Sequence, residues 1–80
     1  MYLEIITPEE TIFKGEIKLI RVPGTKGSFE VLQNHAPLIS TLEKGEIKVI
    51  EKTDKERRFE INGGVIEVKD NKIIVLSDFS

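Results

Sequence analysis

Glu46-Ile47-Lys48-Val49-Ile50-Glu51-Lys52 and, after a polar link, Arg57-Arg58-Phe59-Glu60-Ile61 decide the fold class. Ile47 and Val49 alternate with Glu46 and Lys48, and Phe59 and Ile61 flank Glu60. A period of two sends successive side chains to opposite faces of a strand, here one apolar and one charged. The charged link from Lys52 to Glu56 carries no apolar residue, so the two runs read as a hairpin.

The same period extends outward from this hairpin. Leu3 and Ile5 alternate with Tyr2 and Glu4, Ile17 and Leu19 with Glu16 and Lys18, and Ile66 and Val68 flank Glu67. β-branched residues dominate these runs, which suits a pleated, half-buried surface. Pro23-Gly24-Thr25-Lys26-Gly27 reads as a turn. Asp70-Asn71 joins Val65–Lys69 to Lys72–Ser77 in a second hairpin, and Asn62-Gly63-Gly64 marks a tight corner or bulge. Two runs break the pattern. In Ile17–Val22 the apolar phase slips, and in Ile73–Leu76 both faces are apolar; each predicts a strand buried on both sides or bent by a bulge. No segment carries a helical stripe with caps. The expectation is a single all-β domain over residues 1–80, a flattened β-sandwich or barrel of short strands.

Composition narrows the function classes. A chain of 80 residues buries only about 60–65% of its unfolded surface, so its stability margin is thin. It has no cysteine, hence no disulfide and no Cys-based zinc site, and its single histidine excludes a two-imidazole site. Twelve Lys and Arg stand against 14 Asp and Glu, and the signs alternate along Glu51-Lys52 and Asp54-Lys55-Glu56-Arg57-Arg58. Nucleic-acid binding needs a concentrated basic face, and this pattern is that of a solvated one. No apolar run approaches the roughly 20 residues that cross a bilayer, and nothing resembles a signal peptide. The chain is expected to be soluble, without bilayer insertion, cofactor or metal, and monomeric when isolated.

Candidate chemistry is sparse. His35 lies in Leu32-Gln33-Asn34-His35-Ala36-Pro37-Leu38, and a Ser/His/Asp set can be drawn with Ser77 and Asp78. Any chain with one histidine offers such a set, so a structural or interface role beside the rigid Ala36-Pro37 corner is favoured. Gly63-Gly64 precedes a strand, not the helix N-terminus that a phosphate loop requires. Phe13, Phe29 and Phe59 fall on in-facing strand positions, where core packing outweighs base stacking; Phe79, near the end, is a candidate for partner contact. Phe29 to Leu42 is apolar and carries Ser40-Thr41 where other strands carry charges. Such a stretch either marks a partner surface or crosses the core.

Val22-Pro23-Gly24-Thr25-Lys26-Gly27, then Phe29, Val31-Leu32, His35-Ala36-Pro37-Leu38, Leu42 and Gly45, closely resembles the epsilon subunit of rotary F-type ATP synthases. Thr7-Pro8-Glu9 before Phe13 and Gly15-Glu16, then Gly63-Gly64 with Glu67-Val68, and Val75-Leu76 with Asp78, agree in order. The chain differs at Gly27-Ser28-Phe29-Glu30, where many members read Gly-Glu-Phe-Gly, at Gln33-Asn34, and at Lys44.

The resemblance implies a sandwich of about ten strands in the central stalk, with no catalytic residues. It implies two partners, the gamma subunit and the c-ring, and a place peripheral to the cytoplasmic face of the bacterial plasma membrane. By motif match, Thr7, His35 and Ser40 are expected toward gamma, and Gly24, Thr25, Lys26, Gly27, Ser28 and Phe29 toward the c-ring. Most members continue into a two-helix C-terminal domain that brakes ATP hydrolysis; the sequence given stops at Ser80, so the expectation is the sandwich without that brake. The alternative is a small β-barrel that binds nucleic acid or another ligand, which requires an exposed basic and aromatic face.

Overall fold

Thr11–Gly24, strand β2, is a single 14-residue strand that takes part in every layer of the molecule. The computed structural model describes residues 1–78, and Phe79 lies outside them. Around β2 run β1 (Tyr2–Ile6), β3 (Gly27–Leu32), β4 (Leu38–Leu42), β5 (Gly45–Glu51), β6 (Glu56–Ile61), β7 (Gly64–Lys69) and β8 (Lys72–Ser77). The described residues hold eight strands where about ten were expected; β2, unbroken while its partners change, accounts for one of the missing strands. Its N-terminal half pairs with β1, from Glu16 opposite Tyr2 to Thr11 opposite Ile6. Its C-terminal half lies between β5 on one side and β3 on the other.

The strand order β1-β8-β7-β4-β2 closes on itself through the β1–β2 pairing, while β5-β6 and β3 extend from β2. Closure is thin at one seam, since β4 meets β2 only at Leu42 opposite Gly24. The expected hairpins form as β5–β6 and β7–β8. Asp70 and Asn71 both take positive φ, at 52° and 61°, the conformation of a two-residue turn whose twist matches its strands. At the Asn62-Gly63-Gly64 corner, Gly64 has φ 156°, and a Cβ there would sit 2.2 Å from the Leu76 carbonyl oxygen.

Alternation explains the core. Leu3, Ile5, Ile20, Val22, Val31, Ile47, Val49, Ile66, Ile73 and Val75 are fully or almost fully buried, each at an every-other position of its strand. Each such side chain stabilises the fold by roughly 1.5–3 kcal/mol relative to exposure. The slipped phase in β2 is a bulge: its register with β5 shifts between Ile17 and Leu19. With Lys18 turned out, Ile17, Ile20 and Val22 all face inward. Phe13 meets Phe59 edge-on at 6.0 Å, and the Arg57 guanidinium lies 5.6 Å from both rings.

The reading of β8 needs correction. Ile73 and Val75 are buried, but Leu76 is 54% exposed, and the registers with β1 and β7 run without a break. β8 is neither buried on both sides nor bulged; its second apolar face lies on the outside of the sheet.

Candidate interaction surfaces

Register places the residues singled out in the sequence. In β1-β8-β7, Tyr2, Lys72 and Lys69 share one row, and Ile6, Leu76 and Val65 another. Four residue steps along β1 separate the rows, about 13 Å at a strand's rise. Thr7 follows Ile6 at the second end. Its hydroxyl donates to the Glu10 carbonyl (3.0 Å) and accepts from the Glu10 N–H (3.1 Å), while its own N–H also donates to the Glu10 carbonyl (2.8 Å). Thr7 is buried and spends its side chain on shaping the β1–β2 loop.

His35 belongs to the opposite end. Its backbone N–H donates to the Leu32 carbonyl, and its Nδ1 lies 2.7 Å from the Ala36 carbonyl oxygen. The neighbouring Asn34 N–H donates to Asn71 Oδ1 (2.7 Å), and Asn71 Nδ2 donates to Asn34 Oδ1 (3.1 Å). That clasp fixes the His35 loop against the β7–β8 turn. Ser77 is the far end of β8 from that turn, five residues beyond Lys72, so roughly 16 Å of strand separates it from the histidine's end. His35, Ser77 and Asp78 therefore do not assemble as a catalytic set. Ser40 is half-buried on β4, opposite Ile66, and its hydroxyl donates to the Thr41 carbonyl (3.2 Å).

Gly24 to Phe29 forms the β2–β3 hairpin, with Thr25 and Lys26 at the tip. Thr25, Lys26, Gly27 and Ser28 are exposed, whereas Gly24 is buried and Phe29 half-buried. A Cβ on Gly24 would meet the Gly27 carbonyl oxygen at 2.7 Å and the Phe29 ring at 2.8 Å. Those two residues build the turn, and the four between them present a surface. The tip is tied to β4 by the Thr25 N–H to the Thr41 carbonyl (3.1 Å) and by contact between the two threonine hydroxyls (2.9 Å).

Sequence reasoning missed a surface that the structure makes plain. Ile6, Leu76 and Val65 lie side by side on the outer face of the β1-β8-β7-β4 sheet, and the next row runs Glu4, Ile74, Glu67 and Ile39, so charge interrupts the apolar surface there. Leu76 and Ile39 are 54% and 73% exposed. The apolar second face of Ile73–Leu76 was the signal, misread as burial. At the Thr7 end, Ile6, Thr7, Gly63, Gly64, Leu76 and Ser77 line much of a cleft of about 760 Å³. The buried Ser77 Oγ has no hydrogen-bond partner among the described residues. No group of three or more His, Asp or Glu side chains able to hold a metal occurs among those residues.

The family model for the ATP synthase delta/epsilon chain, β-sandwich domain, matches residues 1–79. The chain belongs to that family. It is 43% identical over 76 residues to the ATP synthase epsilon chain of Leptospira borgpetersenii, covering 95% of this chain and 59% of the relative. It therefore spans little more than half the length of that relative. Against the epsilon chain of Chlorobaculum tepidum it is 41% identical, covering 95% of this chain and 86% of the other. The structure superposes on a chain of the Euglena gracilis mitochondrial ATP synthase with a TM-score of 0.87 at 25% identity, over 94% of this chain and 48% of that one. A chain of the Tetrahymena thermophila mitochondrial enzyme's central stalk and c-ring shares the fold, with a TM-score of 0.82 at 18% identity, over 98% of this chain and 63% of that one.

Proposed function

We propose that this domain acts as a non-catalytic coupling in the central stalk of an F-type ATP synthase, joining the gamma subunit to the c-ring. The coupling helps link proton or sodium translocation through the ring to ATP synthesis. The match of residues 1–79 to the epsilon-chain sandwich carries this reading. The surface supports it, because the described residues offer broad strands and loop tips where a catalyst would need converging polar groups. In this role Thr7, His35 and Ser40 face gamma, and the Gly24–Phe29 hairpin, through its exposed tip, faces the ring. The two ends that hold Thr7 and His35 belong to one sheet, so a single broad partner can span both. In this role the domain is peripheral to the cytoplasmic face of a bacterial plasma membrane, as part of the synthase.

Co-purification with the gamma subunit and the c-ring tests the reading. A stoichiometric complex is expected, and passage of the domain through the column alone would refute it. Within such a complex, His35→Glu or Ser40→Arg is expected to weaken gamma binding while the isolated fold stays intact. Titration calorimetry showing unchanged affinity would move the gamma surface elsewhere.

A further inference from the structure

At the Asn62-Gly63-Gly64 corner two residues stand against one. The Asn62 N–H donates to the Asp78 carbonyl (2.9 Å), and the Asp78 N–H donates to the Gly63 carbonyl (3.2 Å). That is the arrangement of a bulge, and a bulge leaves backbone groups unpaired. Among the described residues, neither the Gly63 N–H nor the Asn62 side-chain amide has a hydrogen-bond partner. Asn62 is also exposed to water.

An asparagine followed by glycine can react with its own backbone. The Gly63 nitrogen attacks Asn62 Cγ and gives up its proton. The new N–Cγ bond closes a five-membered succinimide, the Cγ–Nδ2 bond breaks, and ammonia leaves with that proton. Water then adds to one of the two ring carbonyl carbons. Opening at Cγ gives an aspartyl residue in normal linkage. Opening at the main-chain carbonyl carbon gives an isoaspartyl linkage, in which the chain runs through the side chain and is one methylene longer. Glycine favours ring closure because it has no Cβ to obstruct the nitrogen's approach. A bonded N–H or a held side chain opposes it, because a hydrogen bond must break first. The other asparagines are restrained in this way, and neither precedes a glycine. Asn34 Oδ1 accepts from Asn71 Nδ2 (3.1 Å), and the following His35 N–H donates to the Leu32 carbonyl (3.1 Å). Asn71 Oδ1 accepts from the Asn34 N–H (2.7 Å), and the following Lys72 is paired with Lys69 in the β7–β8 ladder.

We infer that Asn62 is a site of spontaneous deamidation in the folded domain, with Gly63 as nucleophile and water as co-reactant, and that the isoaspartyl product unfastens the end of β8. The added methylene falls between the two backbone bonds that hold Asp78, so both cannot keep their geometry. The aspartyl product leaves the backbone unchanged and adds a negative charge to the cleft that Asn62 and Asp78 both line. The site stands apart from the coupling role proposed above.

The test compares the purified chain, folded in mildly alkaline buffer at physiological temperature, with the same chain held unfolded in guanidinium. Peptide mapping by mass spectrometry follows the exchange of NH2 for OH at each asparagine. In the folded chain Asn62 is expected to react within about tenfold of its unfolded rate. Asn34 and Asn71 should react at least about tenfold more slowly than Asn62, a barrier difference of about 1.4 kcal/mol or more. Aspartyl and isoaspartyl forms should both appear. Asn62 left intact in the folded chain while it reacts in the unfolded one would show that the bulge protects it, and the inference would fail. Aspartyl product alone would mean direct hydrolysis of the side-chain amide without Gly63, which overturns it equally. Amide exchange at Asp78 should quicken about tenfold in the isoaspartyl form. Asn62→Gln cannot close the five-membered ring, so its mass and its Asp78 exchange should survive the same incubation unchanged. Equal loosening of Asp78 in that variant would refute the link to β8.

Discussion

Three glycines separate backbone strain from steric clash, and substituting alanine at each gives a graded prediction. All three have positive φ: 124° at Gly27, 145° at Gly63 and 156° at Gly64. A Cβ at Gly27 would meet nothing within 4 Å, and one at Gly63 would lie 3.4 Å from the Leu42 carbonyl oxygen. At Gly64 it would lie 2.2 Å from the Leu76 carbonyl oxygen and 2.9 Å from the Ser77 Cα. Gly27→Ala therefore carries conformational strain alone, about 1–3 kcal/mol. Gly63→Ala adds an ordinary contact and should cost much the same. Gly64→Ala adds a backbone overlap that β7 and β8 relieve only by moving apart, a further ~1–3 kcal/mol. The expected total of about 2–6 kcal/mol is a large share of the roughly 4–12 kcal/mol available to a domain of this size. In urea unfolding followed by circular dichroism, Gly64→Ala should be the least stable of the three. If Gly27→Ala proves as damaging, the overlap contributes nothing and the closeness of Gly64 to Leu76 is misjudged.

The two faces of β8 should respond differently. Ile73→Ala is expected to cost about 2–5 kcal/mol, while Leu76→Lys should stay within about 0.5 kcal/mol; equal losses in thermal unfolding would restore the two-sided burial that the structure rejects. Arg57→Met keeps the aliphatic stem over Phe13 and Phe59 but removes the cation and its 3.5 Å pairing with Glu51. A loss of roughly 0.5–1 kcal/mol is expected, and a gain in stability would show that the charge over the rings is a burden. Asn71→Gly preserves the positive φ and deletes the clasp to Asn34, so it should release the His35 loop, read as faster amide exchange at Asn34, with about 1 kcal/mol or less lost overall. Unchanged exchange there would mean that the clasp holds nothing in place.

The strands were legible because their causes are local. Ile47 and Val49 against Glu46 and Lys48 need only the pleat to declare a buried face, and Asp70-Asn71 needs only turn chemistry. The bulge in β2 was also visible, since no straight strand places Ile17, Ile20 and Val22 on one side. What could not be read is what lies across a strand. The outer face of Ile73–Leu76 is apolar whether protein or solvent covers it, and sequence cannot tell the two apart. Strand number failed for a related reason: nothing local says that residues 11–24 remain one strand while their partners change from β1 to β3 and β5. The site residues fared as their chemistry allowed. Thr7 and Gly24 were named through family likeness, and the structure gives each a shaping role, in the Glu10 turn and against Phe29. The thinness of the β4–β2 seam depends on pairing between distant segments, which periodicity does not encode.

The continuity of β2 bears directly on how stiff the domain is. In a sandwich of two separate sheets, the layers can slide over an apolar interface whose energy is non-directional. Here the layers share a strand. Displacing β1-β8-β7 relative to β5-β6 bends β2 near the Ile17–Leu19 bulge or breaks its ladders, five residue pairs with β1 and four with β5. Directional hydrogen bonds resist that motion where apolar contact alone would yield. The seam between β4 and β2 is different, held by one residue pair with its two flanking backbone hydrogen bonds, Thr25 N–H to the Thr41 carbonyl and Glu43 N–H to the Pro23 carbonyl, and by the Thr25–Thr41 hydroxyl contact. The fold thus has a stiff side and a side that opens most easily, and the easy side runs along β4.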